Sequence, residues 1–133
     1  MAIQFSVAVR NARLDSIEST INTSAVLKIR TGGAPATCAS ADSGTVLSTL
    51  SLPSDWLAAA SSGSKVLAGS WTDATADSTG TAQHFRVYAS DGTTCHIQGT
   101  VAIGSGDLQV DNTSFATGQS FTITAFTLTD GNA

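Results

Sequence analysis

His84 and His96 are the two side chains best suited by type to hold a metal ion or move a proton near neutral pH. They stand in two alternating runs on either side of Ser90-Asp91-Gly92, so a hairpin would bring them near each other. A metal needs a third or fourth ligand, and no carboxylate on these runs shares their face. Solvated or interface histidines are therefore expected. Asp73 and Asp77 suggest a calcium loop, but their spacing is not that of an EF-hand and the bidentate glutamate that closes one is missing. Gly104-Ser105-Gly106-Asp107 brackets a serine with glycines in a turn between strands. Without a following helix it lacks the strand–turn–helix setting that makes such a serine a nucleophile. The sequence has no phosphate-binding loop and no H-E-x-x-H pair. Cys38 and Cys95 form no CxxC motif. Reduced thiols are expected in a reducing compartment, a disulfide is the alternative, and zinc has too few partners. No catalytic residue, metal ligand or cofactor is assigned.

The hairpin is the clearest element that would position these groups. Phe85, Val87 and Ala89 alternate with His84, Arg86 and Tyr88 before the turn. After it, Cys95, Ile97, Gly99 and Val101 alternate with Thr94, His96, Gln98 and Thr100. A three-residue loop, Ser90-Asp91-Gly92 with Gly92 left-handed, would pair Val87 with Cys95 and Phe85 with Ile97. In that register His84 faces Gln98 and Arg86 faces His96, giving one core face and one polar face turned to water.

Residues 5–21, FSVAVRNARLDSIESTI, read as a helix, with Val7, Leu14, Ile17 and Ile21 on one apolar stripe. The stripe can pack on the chain's own sheet or meet a partner subunit. Strands are expected over 25–31, 45–52 and 65–71, around Leu108 and Val110, and over 120–129. A long small-residue loop, Thr31 to Gly44, separates the first two. Ser54 and Asp55 predict the start of a short helix through Trp56, Leu57 and three alanines, closed by Gly63. In the last strand Phe121 and Ile123 share one face while Phe126 and Leu128 share the other. That slip predicts a β-bulge, or a strand whose ends meet different layers at an edge or interface. The fold class is all-β: a two-sheet antiparallel β-sandwich, jelly-roll-like, with an N-terminal helix and one short inserted helix. Residues 1–22 form a helical arm and 23–133 the sandwich; the same strands also fit a closed barrel.

A chain of 133 residues with 41% hydrophobic content can bury one real core. Charged residues are only 12%, about half the usual share, and serine and threonine take their place. Threonine favours strands, and a low-charge surface suits packing within an assembly. A net charge of −4 and a pI near 4.7 argue against nucleic acid, since Arg10 with Arg13 and Lys28 with Arg30 are pairs rather than patches. No apolar run approaches a membrane span, and Ala2–Val9 lacks the charged start and apolar centre of a signal peptide. Synthesis in the cytosol is the expectation. Asn22-Thr23-Ser24 and Asn112-Thr113-Ser114 read as turns. Trp56, Trp71 and Tyr88 could form a sugar-binding platform, but both tryptophans adjoin apolar residues and fit a core better.

The stretch GTAQHFRVYASDGTTCHIQGTVAIGSGDLQVDNTSFATGQSFTITAFTLT resembles the small jelly-roll virion proteins of tailed bacteriophages, of the head decoration or cement type. VRNARLDSIESTI and SAVLKIRTGGAPA are similar to the N-terminal part of the same group. The shared motifs are structural, so no active-site residue is carried over. The resemblance implies a non-enzymatic protein made in the host cytoplasm and placed on the virion's capsid surface. Its partners would be the major capsid protein and further copies of itself, as a dimer or trimer. Candidate assembly contacts are Val7, Arg10, Leu14, Ile17 and Ile21 on the helix and Phe126 and Leu128 on the phase-shifted strand. The alternatives are a receptor- or carbohydrate-binding module of a tail or fibre, and a cupin-like enzyme using His84 and His96.

Overall fold

The first ordered turn is set by Ser6, whose hydroxyl accepts a hydrogen bond from the Val9 N–H at 3.3 Å and so satisfies one of the orphan donors of a helix start. Helix α1 therefore runs Val7–Ile21, with Phe5 ahead of the cap. It ends where Asn22 takes a φ of 75° and its N–H bonds the Glu18 carbonyl at 2.7 Å. The computed structural model describes residues 3–131; the outermost two residues at each end of the expected domain bounds lie outside them. Among the described residues, no helix is long and apolar enough to cross a membrane.

Among the described residues ten strands follow: β1 Val26–Arg30, β2 Val46–Ser51, β3 Ser64–Val66, β4 Thr72–Asp73, β5 Gly80–Thr81, β6 His84–Tyr88, β7 Cys95–Ala102, β8 Leu108–Val110, β9 Ser114–Phe115 and β10 Phe121–Thr129. The β-rich expectation holds. The arrangement is one curled sheet in the order β2-β1-β6-β7-β8-β10-β3, with β4 also on β10 and a separate β5–β9 ribbon. It is also mixed, because β7 and β8 pair in parallel over two residue pairs. Parallel neighbours ordinarily need a long crossover. Here the short overlap and left-handed Gly104 and Gly106, at φ 67° and 80°, let the chain double back.

Alternation in β1 and β6 places Leu27, Ile29, Phe85 and Val87 in the core. Each such side chain contributes about 1.5–3 kcal/mol on burial. Phe85 meets Phe126 edge-on at 5.7 Å between ring centroids, although β6 and β10 are three places apart in the sheet. The sheet therefore wraps around its own core. Trp56 and Trp71 fill the centre, Trp71 lying 5.4 Å from Phe126, as their apolar neighbours in sequence suggest. The alternation slip in β10 is a register shift between Ile123 and Ala125, which lets Phe121, Ile123 and Phe126 all face inward. β10 is hydrogen-bonded on both sides, so the slip does not mark a sheet edge.

Two local expectations are corrected. The segment after Ser54 is a hairpin, not a helix. Leu57 bridges Leu67, Ser61 bridges Ser64, and Ser62 and Gly63 turn the chain with φ of 52° and 74°. Trp56 and Leu57 are adjacent and both buried, and neighbouring groups supply partners for the local amides. In the large hairpin Gly92 is left-handed as expected, but the closing pair is Ala89 with Thr94. A bulge between Val87 and Tyr88 then pairs Tyr88 with Cys95, Val87 with Ile97, Arg86 with Gln98, Phe85 with Gly99 and His84 with Thr100. Gly99 explains the choice: a Cβ there would stand 2.9 Å from the Phe85 ring and 2.7 Å from Asp107 Oδ2.

Candidate functional site

β1 and β6 send a second set of side chains to the sheet's other face: Lys28 beside Arg86, and Arg30 beside His84. The five polar or charged groups expected on that face have different fates, and His96, at the bulge, instead borders a cleft with Ser16, Ile17, Thr20 and Ile21. His84, Arg86 and Tyr88 are buried, Gln98 is half-buried, and only His96 is exposed. The cover is the 31–44 loop. A loop laid across a sheet brings backbone carbonyls that need donors. This face supplies them to six: His84 to Gly32, Gln98 to Pro35, Arg86 to Thr37, Cys38 and Ser40, and Arg30 to Gly44. The Gly32 carbonyl can only accept, which fixes the proton of His84 on Nδ1 at 2.6 Å.

Asp42 is the centre of the cluster. Its Oδ1 accepts from Arg86 Nη1 at 2.5 Å and from the Tyr88 hydroxyl at 2.6 Å, and its Oδ2 accepts from Arg30 Nη2 at 3.0 Å. Two guanidiniums share this one carboxylate. Among the described residues Nε of both arginines is buried without an acceptor, and Gln98 Oε1 and His84 Nε2 in the same layer are buried without a donor. Burial opposes the ionised form of Asp42, but the Tyr88 and Arg86 hydrogen bonds and the arginine charges hold its carboxyl below the usual range. Burial, then the bond to Asp42, pushes the Tyr88 phenol up. Neither group is poised to exchange protons near neutral pH. The arrangement is a clamp that fixes the loop.

Beside the clamp, a cleft of about 640 Å³ is lined by Cys38, Ser40, Asp42, Arg86, Thr94 and Cys95. The Cys95 thiol donates to the Ile97 carbonyl at 3.4 Å, and burial first, then the neighbouring Cys38 side chain, pushes it up to about 11. Both cysteines are free and half-buried.

A second cluster joins α1 to the sheet. Lys65 is 2% exposed and its Nζ lies 2.7 Å from Asp15 Oδ1 and 3.2 Å from Glu18 Oε2. The same carboxylates accept from backbone amides of the small hairpin, Glu18 from Leu57 at 3.2 Å and Asp15 from Ala60 at 2.9 Å. Burial opposes the charge of Lys65, but the two carboxylates outweigh it and raise its pKa. Arg10 completes the attachment, donating from Nε to the Asp130 carbonyl at 2.7 Å and lying against left-handed Gly63, where a Cβ would collide with its guanidinium.

The candidate assembly contacts divide accordingly. Leu14, Ile21 and Phe126 are buried in the chain's own fold, Ile17 and Leu128 pack against the core, and Arg10 is half-buried. Val7 is exposed, in a series with Ile3, Phe5 and Val9. The helical stripe thus packs on its own sheet from Leu14 onward. The histidines do not converge, and among the described residues no three His, Cys, Asp or Glu side chains are grouped to hold a metal. Trp56, Trp71 and Tyr88 are buried and present no platform to a sugar. Sequence reading missed the clamp; its signal was Asp42, a lone acid in a long neutral loop, set against the arginines of two neighbouring strands. Comparison with family models, curated proteins and solved structures finds no match for the chain.

Proposed function

We propose that this chain is a structural virion protein of a tailed bacteriophage, binding the capsid exterior as a decoration or cement protein that stabilises the head. The sequence resemblance to head decoration proteins suggests the class. The observation that carries the reading is the exposed apolar series Ile3, Phe5, Val7 and Val9, leading into and opening α1. The core is filled by the domain's tryptophans and phenylalanines without Ile3, Val7 and Val9, while the Phe5 ring carries the Arg13 guanidinium at 5.0 Å. A row of exposed apolar groups at one end of a low-charge domain suits coverage by a neighbour. The major capsid protein is that neighbour, and the decorating unit is a dimer or trimer. In this reading the curled sheet is a jelly-roll-like sandwich whose facing halves act as its two layers. A lattice repeats each contact many times, so a weak individual interface is enough to stabilise a shell.

The test uses purified protein and capsids that lack it. Wild-type protein is expected to bind them and raise their resistance to heat, measured by co-sedimentation and by the temperature of genome or shell release. An Ile3→Ser/Val7→Ser variant should melt like wild type yet bind at least about tenfold more weakly, the loss of roughly 1.4 kcal/mol. Failure of the wild type to bind, with undecorated capsids equally stable, overturns the proposal.

A further inference from the structure

We infer that Cys38 and Cys95 are a redox-sensitive pair whose disulfide locks the 31–44 loop onto the β6–β7 hairpin. They are 57 positions apart in sequence, yet they line the same cleft. Two independent contacts hold them there. The Cys38 carbonyl accepts from Arg86 Nη2 at 2.9 Å, which ties that turn of the loop to β6. Cys95 stands opposite Tyr88 at the bulged end of the hairpin. Both side chains border the one cleft beside Arg86, the placement that a disulfide across it requires. Both are half-buried, so an oxidant can reach them from the cleft.

The oxidant is a small-molecule disulfide such as glutathione disulfide. In the first step the Cys38 sulfur, on losing its proton, displaces one glutathione and leaves a mixed disulfide. The Cys95 sulfur then attacks the Cys38 sulfur and releases the second glutathione. Two protein thiols are oxidised, one glutathione disulfide is reduced to two thiols, and the two protons pass to those thiols. A reducing cytosol keeps the pair open, and release into an oxidising medium closes it. Closure adds a covalent tie to the loop already held by Arg86.

The test equilibrates the full chain in glutathione buffers from fully reduced to fully oxidised, then blocks free thiols and measures intact mass, peptide linkage and melting temperature. An intramolecular Cys38–Cys95 linkage is expected, with a melting temperature higher by about 10 °C than that of the reduced protein. Hydrogen exchange of residues 31–44 should slow on oxidation, and Cys38→Ser should abolish both changes. Separate glutathione adducts on the two thiols, linkage between chains, or an internal linkage that leaves melting and loop exchange unchanged would each overturn the inference.

Discussion

The 31–44 loop and helix α1 are fastened to opposite parts of one sheet by clusters of inverted charge. At the loop, Arg30 and Arg86 share Asp42, and the cationic side chains feed backbone carbonyls. At the helix, Asp15 and Glu18 share Lys65, and the anionic side chains accept from backbone amides. In both places backbone groups, of the loop in one and of the small hairpin in the other, find partners in charged side chains instead of a ladder. The difference lies in which charge is scarce. The loop has one carboxylate for two guanidiniums, while the helix has one ammonium for two carboxylates. Asp42 and Lys65 are thus the members on which each cluster depends, and Arg86 is the side chain with the most partners.

Removing the cation separates the two clusters most sharply. Arg86→Met deletes four hydrogen bonds, leaving the carbonyls of Thr37, Cys38 and Ser40 without their donor while Asp42 keeps Arg30 and Tyr88. A loss of about 3–5 kcal/mol is expected by urea unfolding, with exchange protection lost first over residues 31–44. Lys65→Met should cost less, about 2–3 kcal/mol, because the carboxylates it abandons can hydrate: their side chains are 49% and 21% exposed. There the protection lost first belongs to α1. If both variants frayed the same segment, the two clusters would not be separate fasteners.

The parts of the fold that were legible in sequence are those decided by one face of one strand. Leu27 and Ile29 in β1, Phe85 and Val87 in β6, and the bulge implied by Ile123 and Phe126 all follow from an apolar pattern that only one core could satisfy. The illegible parts are those decided by what lies on top. Arg86 and His84 read as solvated because polarity at alternate positions usually means water, and nothing local announces a covering loop. The Ser54 segment read as a helix because a cap and an alanine run are local signals, whereas Asp15, Glu18 and the burial of Trp56 are not. The same physics hid the clamp and helped hide the true register, since Gly99 under Phe85 is a packing choice rather than a turn rule.

Acid should loosen the loop before the helix. The Asp42 carboxyl is held below its unfolded value of 3.8, so its contribution is present above that pH and is lost as pH falls through the lower folded value. Asp15 is also lowered, chiefly by its Lys65 hydrogen bond, but it lies at the surface where solvent screens the effect. Hydrogen exchange followed below pH 4 should therefore show residues 31–44 opening while α1 stays protected. In Asp42→Asn the loop's share of this acid dependence should vanish. Simultaneous release of loop and helix would tie acid sensitivity to the whole fold and remove the distinction.

Neutralising one carboxylate in each cluster gives the smallest contrast and the most direct reading of charge scarcity. Asp42→Asn keeps the shape but leaves two buried guanidiniums without a counter-ion, at a cost of about 2 kcal/mol after allowance for the one-third exposure of Asp42. Glu18→Gln removes a charge from the cluster that has one to spare. Its amide oxygen still accepts from Leu57, and Asp15 still pairs Lys65 at 2.7 Å, so the loss should stay below about 1 kcal/mol. Chemical denaturation of both variants in the same buffer reads the difference. Equal losses would mean that each carboxylate acts only through its local hydrogen bonds. A larger loss at Asp42 that shrinks in high salt less than any loss at Glu18 would place the decisive charge under the loop, where screening ions reach it least.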